Sequence, residues 1–144
     1  MRAKDIMRSE VQCVSETTTL RELSLAFRRY GVTTLAVVND QEDLVGVVSE
    51  EDLLRAMLPT YAELQDDLQY MMDFEYLEDR AEEVEDEPVR NIMVRGTVGV
   101  NENTPLMRVI SHFLLKSNSH IPVVRGDKIV GTVARTDICE LMFD

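Results

Sequence analysis

The chain is poor in the residues that metal or thiol chemistry needs, with two cysteines and two histidines in 144 residues. Cys13 and Cys139 stand far apart in apolar-periodic surroundings and form no Cys-x-x-Cys pair, which fits a reducing, cytoplasmic compartment. His112 falls mid-helix in the periodicity with no nucleophile or carboxylate partner at useful spacing, and no His-x-x-x-His spacing occurs. The six glycines build neither Gly-x-Gly-x-x-Gly nor a Walker-type loop. Apolar runs such as Leu35-Ala36-Val37-Val38 fall far short of the roughly 20 residues that cross a bilayer. The opening Met1-Arg2-Ala3-Lys4-Asp5 lacks the apolar region of a secretory signal. The expectation is a cytoplasmic protein that is not an enzyme and has no membrane contact.

Positive charge is also scarce, with 15 Lys and Arg against 27 Asp and Glu and a net charge of −12. The excess is local. Residues 60–88 hold twelve acids and one base, Arg80, so the rest of the chain is close to neutral. Neither flank offers the Lys/Arg stripe that a phosphate backbone requires, and a nucleic-acid partner is not expected.

What the sequence does contain is a duplication. Asp5-Ile6-Met7 recurs as Asn91-Ile92-Met93, and the same offset of 86 pairs Val14 with Val100, Glu16 with Glu102, Leu20 with Leu106, Phe27 with Phe113 and Val37-Val38 with Val123-Val124. One residue is lost in a turn. At offset 85, Val45-Gly46 matches Val130-Gly131, Val48 matches Val133, Asp52 matches Asp137 and Met57 matches Met142.

Each unit begins with a strand-like run, Val11 to Val14 or Thr97 to Val100. A helix follows, announced by the Thr19/Glu22 capping-box spacing in one unit and by Thr104-Pro105 in the other. Helical spacing of Leu20, Leu23, Ala26, Phe27 and Tyr30, and of Leu106, Val109, Ile110, Phe113 and Leu114, predicts one buried face on each. Two β-branched runs joined by turn residues then predict hairpins, Thr34–Val38 with Leu44–Val48 and Ile121–Val124 with Ile129–Val133. A second helix closes each unit, Glu50 to Leu58 and Arg135 to Met142. A β-α-β-β-α unit this small cannot cover its own apolar faces, so two units are expected to pack as one α/β module with a pseudo-two-fold axis.

The opening Asp-Ile-Met and Asn-Ile-Met triplets, the Ile121-Pro122-Val123-Val124 strand, and the paired Gly46-Val47-Val48-Ser49-Glu50-Glu51-Asp52-Leu53 and Gly131-Thr132-Val133-Ala134-Arg135-Thr136-Asp137-Ile138 elements carry a family resemblance. The chain resembles the paired cystathionine β-synthase (CBS) domains of a stand-alone Bateman module. The resemblance implies a tandem pair, with one repeat at 1–58, an acidic helical insert or linker at 59–88 and a second repeat at 89–144.

At each Gly-x-x-Ser/Thr-x-x-Asp element a strand turns into a helix, whose first N–H groups suit a phosphate while the aspartate suits a ribose diol. The same Ser49-x-x-Asp52 spacing also satisfies a plain capping box. The resemblance implies an adenosine ligand, AMP, ADP, ATP or S-adenosylmethionine, with the base held by backbone near the first strand. It assigns Ser49, Asp52 and Thr33 to one site, and Arg135, Thr136, Asp137, Ser119, His120, Thr97 and Val98 to the other. Glu50 and Glu51 flank Asp52 where Arg135 and Thr136 flank Asp137, so a phosphate is expected to favour the Asp137 site, even with Ala134 in place of a hydroxyl. No metal, catalytic residue or obligatory cofactor is expected.

The insert shows its own capping box, Thr60-Tyr61-Ala62-Glu63, and an apolar stripe of Tyr61, Leu64, Leu68, Met71 and Met72 running on to Phe74, Tyr76 and Leu77. The run Glu82-Glu83-Val84-Glu85-Asp86-Glu87 repels itself and predicts a frayed end or loop before Pro88. Surplus apolar helix surface predicts a homodimer, and a regulatory module without a catalytic domain would act on a separate protein, unidentified by the sequence. The rival expectation is an interaction or dimerisation module with degenerate sites.

Overall fold

A computed structural model describes residues 1–58, 74–96, 99–115 and 118–144. The first half runs α1 (Ala3–Ile6), β1 (Cys13–Ser15), α2 (Leu20–Tyr30), β2 (Thr34–Val38), β3 (Leu44–Ser49) and α3 (Glu50–Ala56). After α4 (Phe74–Val84) and a 3-10 turn at Val89–Asn91, the order repeats as β4 (Val94–Arg95), β5 (Val100–Asn101), α5 (Leu106–Leu115), β6 (His120–Arg125), β7 (Lys128–Ala134) and α6 (Arg135–Phe143). The fold is the expected α/β pair, a four-stranded sheet β1-β2-β3-β4 and a three-stranded sheet β5-β6-β7. Both hairpins form antiparallel with an irregularity at the same place, Val37/Val38 and Val123/Val124. The first leading strand, Cys13–Ser15, is shorter than Val11–Val14 suggests; it is held by one parallel neighbour, β2, and ends in the turn where the Thr18 N–H donates to the Ser15 carbonyl.

Helix α2 starts and stops for the reasons visible in the sequence. The Glu22 N–H donates to Thr19 Oγ1 at 3.2 Å, the Thr19 N–H donates to Glu22 Oε1 at 3.2 Å, and Gly31 closes the helix at φ 64.

The segments opening each repeat cross to the other repeat, residue for equivalent residue. The Ala3 and Val89 N–H groups donate to the Thr104 and Thr18 carbonyls, and those of Lys4 and Arg90 donate to the Glu102 and Glu16 carbonyls. The Leu106 and Leu20 N–H groups, orphans at the starts of α5 and α2, donate to the Met1 and Glu87 carbonyls. Further along, Val94 pairs with Val47 on β3, while Arg8 forms an isolated antiparallel bridge with Thr132 on β7. The glycines of the repeated Val-Gly pair make room for this crossing. A Cβ at Gly46 would lie 2.6 Å from the Val94 carbonyl oxygen, and one at Gly131 would lie 2.6 Å from Met7 Sδ and 2.7 Å from the Arg8 oxygen.

Two apolar cores result. One gathers Leu20, Leu23, Phe27, Leu35, Val37 and Val48 with Val89 and Met93 from the crossing segment, and the other gathers Val109, Phe113, Ile121, Val123, Val133 and Ile138 with Ala3. The predicted helix faces are buried at Leu20, Leu23 and Phe27 and at Val109 and Phe113, but Tyr30 is exposed and Leu114 is 83% exposed. The acidic run departs from expectation. α4 continues to Val84, which is 5% exposed and belongs to the first core, while the Glu85 and Glu87 carbonyls accept from the Arg21 and Leu20 N–H groups. One apolar residue with a core to enter, and carbonyls with helix donors to meet, outweigh repulsion among solvated carboxylates. The expected insert stripe at Tyr61, Leu64, Leu68, Met71 and Met72 lies outside the described residues.

Candidate functional site

The junction of β3 and α3 opens onto a cleft of about 610 Å³, lined among others by Thr33, Ser49, Asp52, Arg55, Val94 and Arg135. That volume is in the range of small-ligand pockets. Asp52 Oδ2 accepts from the Ser49 N–H at 2.8 Å and from its hydroxyl at 3.0 Å, and the Asp52 N–H donates back to Ser49 Oγ at 3.3 Å. The capping box is therefore built. It uses one carboxylate oxygen, while the other meets Arg55 Nη1 at 3.2 Å, from a side chain 67% exposed on the same helix. An exposed contact of this kind is worth about 0–1 kcal/mol, so a ligand hydroxyl can replace it.

The helix starts are less open to a phosphate than expected. α3 is seven residues long, and its Glu50 N–H is taken by the Thr33 carbonyl at 3.0 Å. Its counterpart, the Arg135 N–H, donates to the Ser119 carbonyl at 3.1 Å. Positive charge in the open cleft comes from the guanidinium groups of Arg55 and Arg135 instead. Arg135 was expected to serve Asp137, but it lines the cleft of Asp52, because the start of α6 lies beside Ser119 near the pseudo-two-fold axis. Glu50 and Glu51 also line that cleft, so opposed charges meet there.

At the second junction Asp137 Oδ2 accepts from the Ala134 N–H at 3.0 Å. Its Oδ1 takes two bonds from Arg8, Nε at 2.9 Å and Nη2 at 2.5 Å. The expected balance of attraction, favouring Asp137, thus loses its premise: the cation that meets this carboxylate is Arg8. Hydrogen bonding to Asp137 and its charge raise the Arg8 pKa above the ordinary value. Thr136 sits in the first turn of α6 and is exposed.

Thr33 and Ser119, equivalent in the repeats, touch across the axis with 2.7 Å between hydroxyls, and Ser119 Oγ lies 2.9 Å from His120 Nδ1. His120 helps line a small cavity of about 30 Å³ between the hairpins. Burial, then the charge of Arg8, lower its pKa, against a smaller opposing effect of Asp137. The assigned Thr97 and Val98 lie outside the described residues. Among the residues sequence reasoning missed are Arg8, Arg55 and Val94. The repeat register carried the signal, since Arg8 aligns with Val94 and Arg55 with Glu140.

Two crossed β-α-β-β-α repeats, each with an aspartate at its strand-to-helix junction and one junction opening onto a cleft, define a tandem α/β pair. The CBS domain family matches residues 3–59 and 89–144, and the chain belongs to that family. It is similar to an uncharacterized 17.7 kDa protein of the bps2 3' region of Acidianus ambivalens, 22% identical over 144 residues, 99% of this chain and 74% of the relative. Among solved structures, the CBS-pair protein CBSX2 from Arabidopsis thaliana is 24% identical with a TM-score of 0.77, over 98% of this chain and 93% of that one. CBSX2 in complex with AMP gives 24% and 0.72, over 98% and 95%. A CBS domain pair in complex with 5-methylthioadenosine and S-adenosyl-L-methionine gives 20% and 0.70, over 99% and 95%. At these identities the shared property is the fold. Among the described residues no helix is long and apolar enough to cross a membrane.

Proposed function

We propose that this CBS pair is a regulatory module that binds an adenosine-containing ligand and passes the occupancy of its cleft to a separate partner protein. The observation that carries the reading is the cleft of about 610 Å³, with the Asp52 carboxylate, the Thr33 and Ser49 hydroxyls, and two guanidinium groups around one space. Ribose hydroxyls replace Arg55 on Asp52, Arg55 and Arg135 turn to the ligand's anionic end, and Val94 and Val47 supply apolar contact for the base. The AMP complex and the methylthioadenosine and S-adenosylmethionine complex of similar folds support the ligand class. Glu50 and Glu51 oppose each added phosphate, so AMP and S-adenosylmethionine are preferred over ADP and ATP. Calorimetric titration tests this. AMP is expected to bind wild type, to bind at least tenfold more weakly to Asp52→Ala, and to bind more tightly than ATP. Equal affinity of wild type and Asp52→Ala would sink the assignment of the cleft.

Self-association belongs to the same reading. Leu25 and Leu54 on α2 and α3, and Met107, Leu115 and Phe143 on α5 and α6, are exposed apolar side chains on helices. A closed two-fold pair of about 33 kDa, twice the 16.5 kDa chain, would cover such surface. Light scattering coupled to size exclusion measures that mass directly.

A further inference from the structure

The two junctions differ at a pair of positions that exchange their chemistry. Beside Asp52 stand Val94, from the crossing segment, and Arg55, one helical turn along α3. Beside Asp137 the equivalents are Arg8 on the crossing segment and Glu140 on α6. The cation stands on the helix at the first junction and on the segment that crosses over from the other repeat at the second. This changes what it can do. Arg55 meets one oxygen at 3.2 Å from a flexible, exposed side chain. Arg8 reaches the same kind of oxygen with two nitrogens, and its backbone is fixed, because the Arg8 N–H donates to the Thr132 carbonyl at 2.8 Å and the Thr132 N–H returns a bond at 3.0 Å. Glu140 adds attraction on the same guanidinium. Asp137 and Asp52 are equally covered, each 11% exposed with one oxygen on its helix cap, so what separates them is the partner of the other oxygen, two nitrogens of Arg8 against one of Arg55.

We infer that Arg8 determines which junction accepts the ligand: it acts as a built-in substitute for the ribose hydroxyls at Asp137, reserving that carboxylate and leaving Asp52 as the single diol-binding aspartate. The inference rests on the adenosine-ligand reading above and adds the residue that sets its stoichiometry. Val94 is the natural template for the unreserved state, so Arg8→Val gives the second junction the side chain of the first. Calorimetric titration with AMP is expected to give one equivalent per chain for wild type, lost in Asp52→Ala and kept in Asp137→Ala. Arg8→Val is expected to bind two equivalents, the second lost on adding Asp137→Ala. One equivalent bound by both wild type and Arg8→Val overturns the role of Arg8 alone, and so do two equivalents bound by wild type. Absence of AMP binding in both proteins overturns the ligand reading and the selectivity with it. If circular dichroism shows that Arg8→Val has lost its fold, Arg8→Gln, which keeps the length and removes the charge, carries the same test. The ion pair is checked without ligand by melting temperatures: Arg8→Gln is expected to lower the value in wild type and to leave it unchanged in Asp137→Asn. Equal shifts in both backgrounds overturn the reservation of Asp137.

Discussion

The two repeats share one plan for their backbones and two plans for their charges. Backbone bonds match across the pseudo-axis, with Ala3 answering Val89, Lys4 answering Arg90 and Met1 answering Glu87, so the crossing does not depend on side-chain identity at those positions. Around the aspartates the side chains diverge, with Arg55 and Val94 at one and Glu140 and Arg8 at the other. Duplication thus preserves what holds the pair together, because each repeat satisfies the other's orphan helix donors and fills its core. It leaves the junctions free to differ in charge, because ion pairs made by exposed arginines contribute little to stability. A family fold is therefore a good guide to architecture here and a poor guide to the charges around each aspartate.

The largest expected effect comes from blocking the crossing itself. Gly46→Ala places a methyl 2.6 Å from a backbone oxygen, and Gly131→Ala places one 2.7 Å from another with Met7 Sδ equally close. Each is expected to lower stability by about 1–3 kcal/mol, as overpacking does, measured by urea unfolding. The functional consequences should separate. Gly46→Ala displaces Val94 and weakens AMP binding at the open cleft, whereas Gly131→Ala displaces Arg8 and leaves that cleft alone. Identical binding losses in both would break the distinction between the clefts.

A comparable but more local loss is expected at the end of the acidic segment. Val84→Ser removes a side chain 5% exposed in the first core and should cost about 2–3 kcal/mol. Phe74→Ser, at the other end of α4 and 70% exposed, should leave the unfolding midpoint within error. Equal shifts would mean that the helix packs as a unit along its length and that Val84 has no special place in the core.

Most of the architecture could be read from the sequence because it rests on periodic apolar residues and local turn chemistry. Thr19 with Glu22, the β-branched hairpin runs and the repeat offset each act within a few residues or by simple alignment. The crossing was hidden, since Asp5-Ile6-Met7 gives no local sign that Ala3 fills the other repeat's core. Val84 was hidden for a related reason: one apolar residue among five acids looks solvated until a neighbouring core has room for it. In the site, the position of Asp52 and Asp137 at strand-to-helix junctions was legible, and so was the Ser49 cap on Asp52, but their arginine partners were not. Arg8 lies 129 residues from Asp137, and Arg135 lines the cleft of the other repeat, so charge counted along the chain did not show which cation stands beside which aspartate.

The smallest effect concerns protons. His120 stands where the first repeat has Thr34, so only one repeat carries a titrating group at this position. Burial lowers its pKa first, the positive charge of Arg8 second, and that of Arg135 adds a little, while Asp137 works the other way. Because the folded pKa lies below the ordinary 6.5, the unfolded chain takes up this proton at a higher pH than the folded chain does. Stability contributed by neutral His120 is therefore complete above pH 6.5 and is lost as the pH falls from 6.5 towards the folded pKa. His120→Thr, which copies the first repeat, should flatten that part of the acid-unfolding curve without changing stability near pH 8. The same proton reports on the ion pair beside it. In Arg8→Val the repelling guanidinium is gone and Asp137 is uncovered, and both changes move the His120 midpoint upward, towards its ordinary value. Proton NMR of the His120 ring, assigned by comparison with His112→Gln, follows this directly. A midpoint unmoved by Arg8→Val would mean that Arg8 does not sit over Asp137 in solution, and the two clefts would then differ less than their charges suggest.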